Sequence, residues 1–100
     1  PLGPRAPRIE AVDDEEVVLD RNGFFIIYVD RRGNSIICEH YDNMGRKTAE
    51  IVGRSARAIY KTAIRMGLLS RLDHAAYLGR ELARAECALA EGRDYVQDRA

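Results

Sequence analysis

Tryptophan is absent from this 100-residue sequence, and cysteine, methionine and proline are scarce. The two cysteines, Cys38 and Cys87, fall in a predicted strand and a predicted helix and lack the dense spacing of a disulfide framework. That usage points to a reducing, cytoplasmic setting. All three prolines sit at positions 1, 4 and 7, so nothing after them carries this breaker of helices and strands. The longest apolar runs, such as Phe24 to Val29, are far shorter than the roughly 20 residues that cross a bilayer. There is no signal-peptide pattern, no Gly-rich or Ser-rich run and no internal repeat. A soluble chain with no membrane partner is the expected class. A chain of this length makes one domain that buries only about two thirds of its unfolded surface, so a neighbour would add stability.

An excess of charge of one sign is also missing, since 16 Lys and Arg balance 16 Asp and Glu. The balance hides a polarity along the chain. From Ile9 to Asp20 there are acids at Glu10, Asp13, Asp14, Glu15, Glu16 and Asp20 and no base. From Asn43 to Ala85 the bases, among them Arg57, Lys61 and Arg65, outnumber the acids Glu50, Asp73 and Glu81. The acidic stretch is complementary to a basic helical surface, in the same chain or a neighbouring one.

Residues 1–15 show no hydrophobic periodicity and are expected to form a flexible N-terminal tail, with residues 16–100 as a single domain. Asp20-Arg21-Asn22-Gly23 predicts a turn, because Asn-Gly tolerates the positive φ that tight turns require. Phe24 to Asp30, rich in aromatic and β-branched residues, reads as a strand. Arg31-Arg32-Gly33-Asn34 then turns into a returning strand from Ser35 to Asp42. With Asp30 opposite Ser35, the pairs Val29/Ile36, Ile27/Cys38 and Phe25/His40 share an apolar face that should meet helices. Tyr28/Ile37 and Ile26/Glu39 share a mixed face, which is either partly wet or an interface.

Asn43 to Thr48 reads as a polar loop. The steps of three and four in Val52, Ala56, Ile59, Tyr60, Ala63 and Ile64 predict a helix that Gly67 ends. Ser55 is one cap for it; a start at Thr48, with Gly53 inside, is the alternative. Ser70-Arg71-Leu72-Asp73 resembles a capping box and Gly92 supplies a C-cap, so the last helix is punctuated at both ends. The expected fold is α+β: an antiparallel hairpin packed against two helices, with a short third strand near Val17 to Asp20 or Glu50 to Val52.

The last helix concentrates the candidate functional residues. Its small residues Ala75, Ala76, Gly79 and Ala83 are interface candidates, since a glycine inside a helix costs about 1 kcal/mol relative to alanine unless something packs closely on it. His74, Tyr77 and Glu81 fall at i, i+3 and i+7 on one side, with Asp73, Arg80 and Arg84 on the neighbouring side. His74, Tyr77, Arg80 and Glu81 are therefore ligand-binding candidates, with a satisfied polar face as the alternative. His74 and Glu81 have the chemistry of a proton-transfer pair, yet no nucleophile or second carboxylate is placed beside them, so no catalytic residue is assigned.

Cys38, His40 and Asp42 alternate along the returning strand and share a face, but only His74 and Cys87 remain as further Cys or His ligands, so no metal is expected. Arg57, Lys61 and Arg65 form a positive stripe at helical spacing. A nucleic-acid partner is nonetheless disfavoured, because the net charge is zero, no reading motif is present, and Gly45 and Gly53 do not make a phosphate loop.

The segments Ile51-Val52-Gly53, Ala56, Ile59-Tyr60, the run from Leu69 to Glu86, and Gly92, Tyr95, Val96, Gln97 and Asp98 together resemble a small domain family of uncharacterised function. That family occurs as short stand-alone proteins and fused behind dihydropteroate-synthase-like, pterin-binding barrels in archaea and bacteria. The resemblance spans about Phe24 to Asp98. It implies a link to pterin or one-carbon metabolism through the fused partner, an association that says nothing of mechanism. It makes His74, Tyr77, Arg80 and Glu81 better site candidates and Gly79 equally a packing signature. A pterin or folate follows from the resemblance alone, and the 100 residues contain no barrel with which to build a joint site. The expected role is a non-catalytic module that self-associates or docks on a larger protein through the hairpin edge and the small-residue helix. A ligand-binding or accessory enzymatic role in pterin-linked one-carbon metabolism is second, and nucleic-acid binding third.

Overall fold

The computed structural model describes residues 23–69 and 72–98. The predicted tail, the strand alternative at Val17 to Asp20, the first three residues of the Asp20–Gly23 turn and the Ser70-Arg71 half of the capping box lie outside the described residues. Three antiparallel strands, β1 (Phe24–Asp30), β2 (Ser35–Tyr41) and β3 (Lys47–Gly53), form one sheet in that order. Helices α1 (Ala56–Arg65) and α2 (Leu72–Glu91) follow, completing an α+β fold.

The hairpin register is the one the side-chain alternation dictates, with Asp30 opposite Ser35, Ile27 opposite Cys38 and Phe25 opposite His40. The Asp30 carboxylate fixes the turn by accepting from the Arg32 and Gly33 N–H groups at 3.1 and 3.2 Å, which favours the tight reversal over a longer loop. At the other end of β1, Gly23 has φ +61°, and a Cβ there would lie 1.9 Å from the Tyr41 carbonyl oxygen. Only glycine fits.

The third strand is real and longer than the Glu50 to Val52 alternative, which shortens the polar loop: Lys47 and Thr48 belong to β3. Val52, read from its spacing as the first helical residue, is a strand residue, and Gly53 ends the strand rather than sitting in a helix. Helical and strand periodicities coincide over such short runs, and here pairing with β2 decides. A register shift opposite His40 and Tyr41 leaves Thr48 as the extra residue, and its hydroxyl is 2.6 Å from His40 Nδ1. Ser55 is the N-cap of α1, its Oγ accepting from the Ala58 N–H at 3.1 Å.

The inner face of the sheet meets both helices, α1 lying against β3 and α2 against β1 and β2. Phe25, Ile27, Ile36, Cys38 and Ile51 interlock there with Ile59 and Ala63 of α1 and Leu78, Leu82 and Ala85 of α2. Burial pushes the Cys38 thiol up to about 12, so it packs as a small apolar group. Cys87 is exposed, and both cysteines are free thiols.

Candidate functional site

The inward stripe of α2 includes one charge. Leu78, Leu82 and Ala85 recur at steps of four and three, and Glu81, on the same side, is 0% exposed. Its burial is explained by the residues after Gly92. The Arg93 N–H closes α2 on the Ala88 carbonyl at 2.8 Å, and the chain then turns back along the helix. From that segment the Tyr95 hydroxyl donates to Glu81 Oε1 at 2.7 Å and the Asp98 N–H at 3.1 Å, while Arg84 Nη1 donates from the helix at 2.6 Å. Burial alone would raise the carboxyl, but the Tyr95 hydroxyl, the Asp98 N–H and Arg84 outweigh it and hold Glu81 below the ordinary carboxylate range. Among the described residues Glu81 Oε2 has no hydrogen-bond partner, and it lies 3.7 Å from Arg80 Nε. Burial and the Glu81 charge together push the Tyr95 hydroxyl well above its usual range.

Gln97 ties the same segment to the sheet. Its Oε1 accepts from the Ile27 N–H at 2.8 Å and its Nε2 donates to the Phe25 carbonyl at 3.0 Å, the two bonds a neighbouring parallel strand would make. Nε2 also donates to the Tyr77 hydroxyl at 2.8 Å, and that hydroxyl donates to the Asp98 carbonyl. The β1 edge is therefore partly occupied by a side chain, and Tyr77 belongs to the clasp that holds it.

The four ligand-binding candidates are thus divided. His74 and Tyr77 line a cleft of about 690 Å³ together with Phe24, Phe25, Ile26 and Gln97. Arg80 is exposed, its guanidinium 5.4 Å above the Tyr77 ring. Glu81 does not line the cleft. His74 and Glu81 are seven residues apart, about 10.5 Å of helix rise, too far for direct proton transfer. Tyr95, Gln97 and Asp98, which complete the clasp, were legible from the sequence only as part of a family resemblance.

The interface candidates divide as well. Gly79 faces the Tyr60 ring of α1, where an added Cβ would meet the ring at 3.6 Å, ordinary contact distance. Ala75, Ala76 and Gly79 line a shallow groove with Ala56 and Tyr60, while Ala83 is exposed on the side toward Arg93. Asp42 is engaged in the β2–β3 turn, accepting from the Met44 and Arg46 N–H groups at 2.9 Å each, and these bonds hold its carboxyl below the usual range. No group of metal-ligating side chains assembles among the described residues. No described helix is long and apolar enough to cross a membrane.

Among the described residues no helix lies on the outer face of the sheet. Phe24, Ile26, Tyr28 and Val52 are 40–55% exposed on it. Phe24 stacks on Tyr41 with ring centroids 5.2 Å apart. At the centre Glu39 accepts from the Tyr28 and Tyr41 hydroxyls at 2.8 Å each and from Lys47 Nζ at 3.3 Å, and Lys47 also pairs with Glu50. The two hydroxyls are the main reason Glu39 lies below the ordinary carboxylate range.

Residues 19–98 match the PterinBD-DUF4346 family. The uncharacterized protein MJ0107 of Methanocaldococcus jannaschii is 44% identical over 92 residues, covering 92% of this chain and 17% of its own length. A Ycf91-like protein of a Nostoc species is 32% identical over 120 positions, covering 90% of this chain and 94% of its own. The chain thus spans a small part of the first relative and nearly all of the second. No solved structure matches the chain significantly.

Proposed function

The chain belongs to the PterinBD-DUF4346 family, and from that premise we propose that it is a non-catalytic docking module whose outer sheet face is the docking surface. The observation that carries this reading is the exposed patch of Phe24, Ile26, Tyr28 and Val52, on which no described helix packs. Large apolar side chains gathered on one unpacked face mark interaction sites, because a chain gains nothing by leaving them in water. The central charge does not oppose burial. Glu39 has three donors within the patch, so covering it orphans no oxygen of that group.

The other surfaces suit docking less. Gln97 occupies part of the β1 edge, and β3 is guarded by its bulge at Thr48 and by Lys47 and Glu50. Much of the small-residue seam faces Tyr60 within the chain. Relatives in which an equivalent stretch makes 17% of one protein and 94% of another are consistent with a module that works both attached and alone. Self-association through the outer face is the form tested first. Light scattering across a dilution series should show a concentration-dependent dimer for the wild-type chain and a monomer for Ile26→Asp, whereas equal masses for both would remove the reading.

A second reading rests on the cleft beside His74 and Tyr77. Its apolar wall of Phe24, Phe25 and Ile26 and its polar rim suit a flat heterocycle, and the family's description points to a pterin or folate. Thermal-shift titration with folates and tetrahydropterins tests it. Binding raises the midpoint by mass action, and Tyr77→Phe should weaken the shift. An unchanged midpoint at saturating ligand would dismiss it.

A further inference from the structure

The segment after Gly92 is held to the body of the domain by polar contacts more than by apolar cover. Arg31 reaches Asp94 at 3.2 Å, and the Tyr95 hydroxyl and Asp98 N–H meet at Glu81 Oε1. Arg84 Nη2 donates to the Val96 carbonyl at 3.3 Å, and Gln97 bonds to the β1 edge. The Tyr95 ring packs against the core, while Asp94 and Val96 are exposed. Each of these bonds is exchanged for one to water when the segment lifts, so each adds little net stability. Glu81 makes that release reversible. Lifting the segment uncovers a carboxylate instead of an apolar side chain, and the hydration it gains offsets the lost Tyr95 and Asp98 donors, while Arg84 stays beside it on α2.

The same segment builds part of the cleft beside His74 and Tyr77. Gln97 and Asp98 line it, and the Tyr77 hydroxyl on its wall accepts from Gln97 and donates to the Asp98 carbonyl. We infer that residues 93–98 are a hinged strap that completes this cleft when docked and opens it when lifted, with Gly92, at φ +68°, as the hinge and Glu81 as the latch. The gate rests on the cleft reading given above: a flat heterocycle enters with the strap lifted and is retained with it docked. Glu81 does not line the cleft, so it is a positioning residue that acts through Tyr95 and Asp98. Because only the docked strap completes the site, ligand and strap stabilise each other by the same factor.

Amide hydrogen exchange on the full chain, with a tetrahydropterin as the probe, tests the gate. The Ile27 N–H reports on Gln97 and the Asp98 N–H on Glu81. Although they sit on separate elements, the two should open with one equilibrium constant, larger than that of the central strand β2. Tyr95→Phe keeps the ring and removes one donor to the latch, so both should exchange about tenfold faster. Ser55→Ala, which loses a cap on α1, should leave both unchanged. Tetrahydropterin at about ten times its dissociation constant should slow both about tenfold and leave the Ala58 N–H at the α1 cap unaffected. Unequal opening constants for the two amides, or equal exchange in wild type and Tyr95→Phe, would overturn the strap. A raised unfolding midpoint without slower Asp98 exchange would overturn the gate and leave the cleft reading intact. No midpoint shift at all would end the cleft reading and the gate with it.

Discussion

The two faces of the sheet are written by alternate residues of the same three strands, and they differ less in composition than in cover. Phe25, Ile27, Ile36 and Ile51 face inward under two helices, and Phe24, Ile26, Tyr28 and Val52 face outward under nothing described. Each face also carries a polar group that the sheet itself satisfies: His40 by Thr48 inside, and Glu39 by Tyr28, Tyr41 and Lys47 outside. On the docking proposal this pairing matters, because a cover on the outer face would leave the Glu39 oxygens with their donors. The difference lies in cover: the two described helices lie on the inner face only.

Substitutions sharpen this contrast. The largest effects belong to the inner side. Glu81→Ala removes the acceptor that three donors converge on and takes a charged partner from the Tyr95 hydroxyl and the Asp98 N–H, while Arg84 keeps the Val96 carbonyl and Asp98, so a loss of about 3–5 kcal/mol is expected from denaturant unfolding. Ile36→Ala, at a fully buried position, should cost about 2–5 kcal/mol by the same measurement. Gln97→Ala gives up two bonds at the β1 edge and should cost about 1–2 kcal/mol, with faster amide exchange at Ile27 as its local signature. Ser55→Ala should cost about 1 kcal/mol through the lost cap. On the outer face Ile26→Asp should cost only about 1 kcal/mol, through lost strand propensity and its place opposite Glu39, and yet abolish association. A large loss of stability in that variant would show that the outer face is already part of the folded core.

Acid separates the two faces less sharply. Glu81, Glu39 and Asp42 are all held below the ordinary carboxylate range, so each adds stability above that range and loses it as pH falls through its folded value. The unfolding midpoint should therefore be level near neutrality and decline below about pH 4.5. Glu81→Gln, already destabilised at neutral pH, should show a shallower acid decline than wild type.

Much of the fold was legible because alternation and turn chemistry agree along the hairpin. Asp30 capping its own turn and an apolar inner face admit one register, since a one-residue slip would turn Phe25, Ile27, Ile36 and Cys38 outward. The mixed outer face was legible as a possible interface for the same reason. β3 was obscured because Val52 fits both a strand and the first turn of a helix, and only its pairing with Ile37 decides. The clasp was hidden for a different reason. Tyr95, Gln97 and Asp98 contact residues some 14 to 72 positions away, and no local period records such contacts. Glu81 was found by its spacing with His74 and Tyr77, but its role was not, because a helical face in sequence does not reveal which side another segment will bury.

The docking role is tested most directly by analytical ultracentrifugation of wild-type and Ile26→Asp/Val52→Asp chains over a broad concentration range. A wild-type dimer that dissociates on dilution, beside a double variant that stays monomeric and still unfolds cooperatively, is the expected result. A wild-type monomer at every concentration, or a dimer that the double substitution leaves intact, would contradict self-association through the outer face.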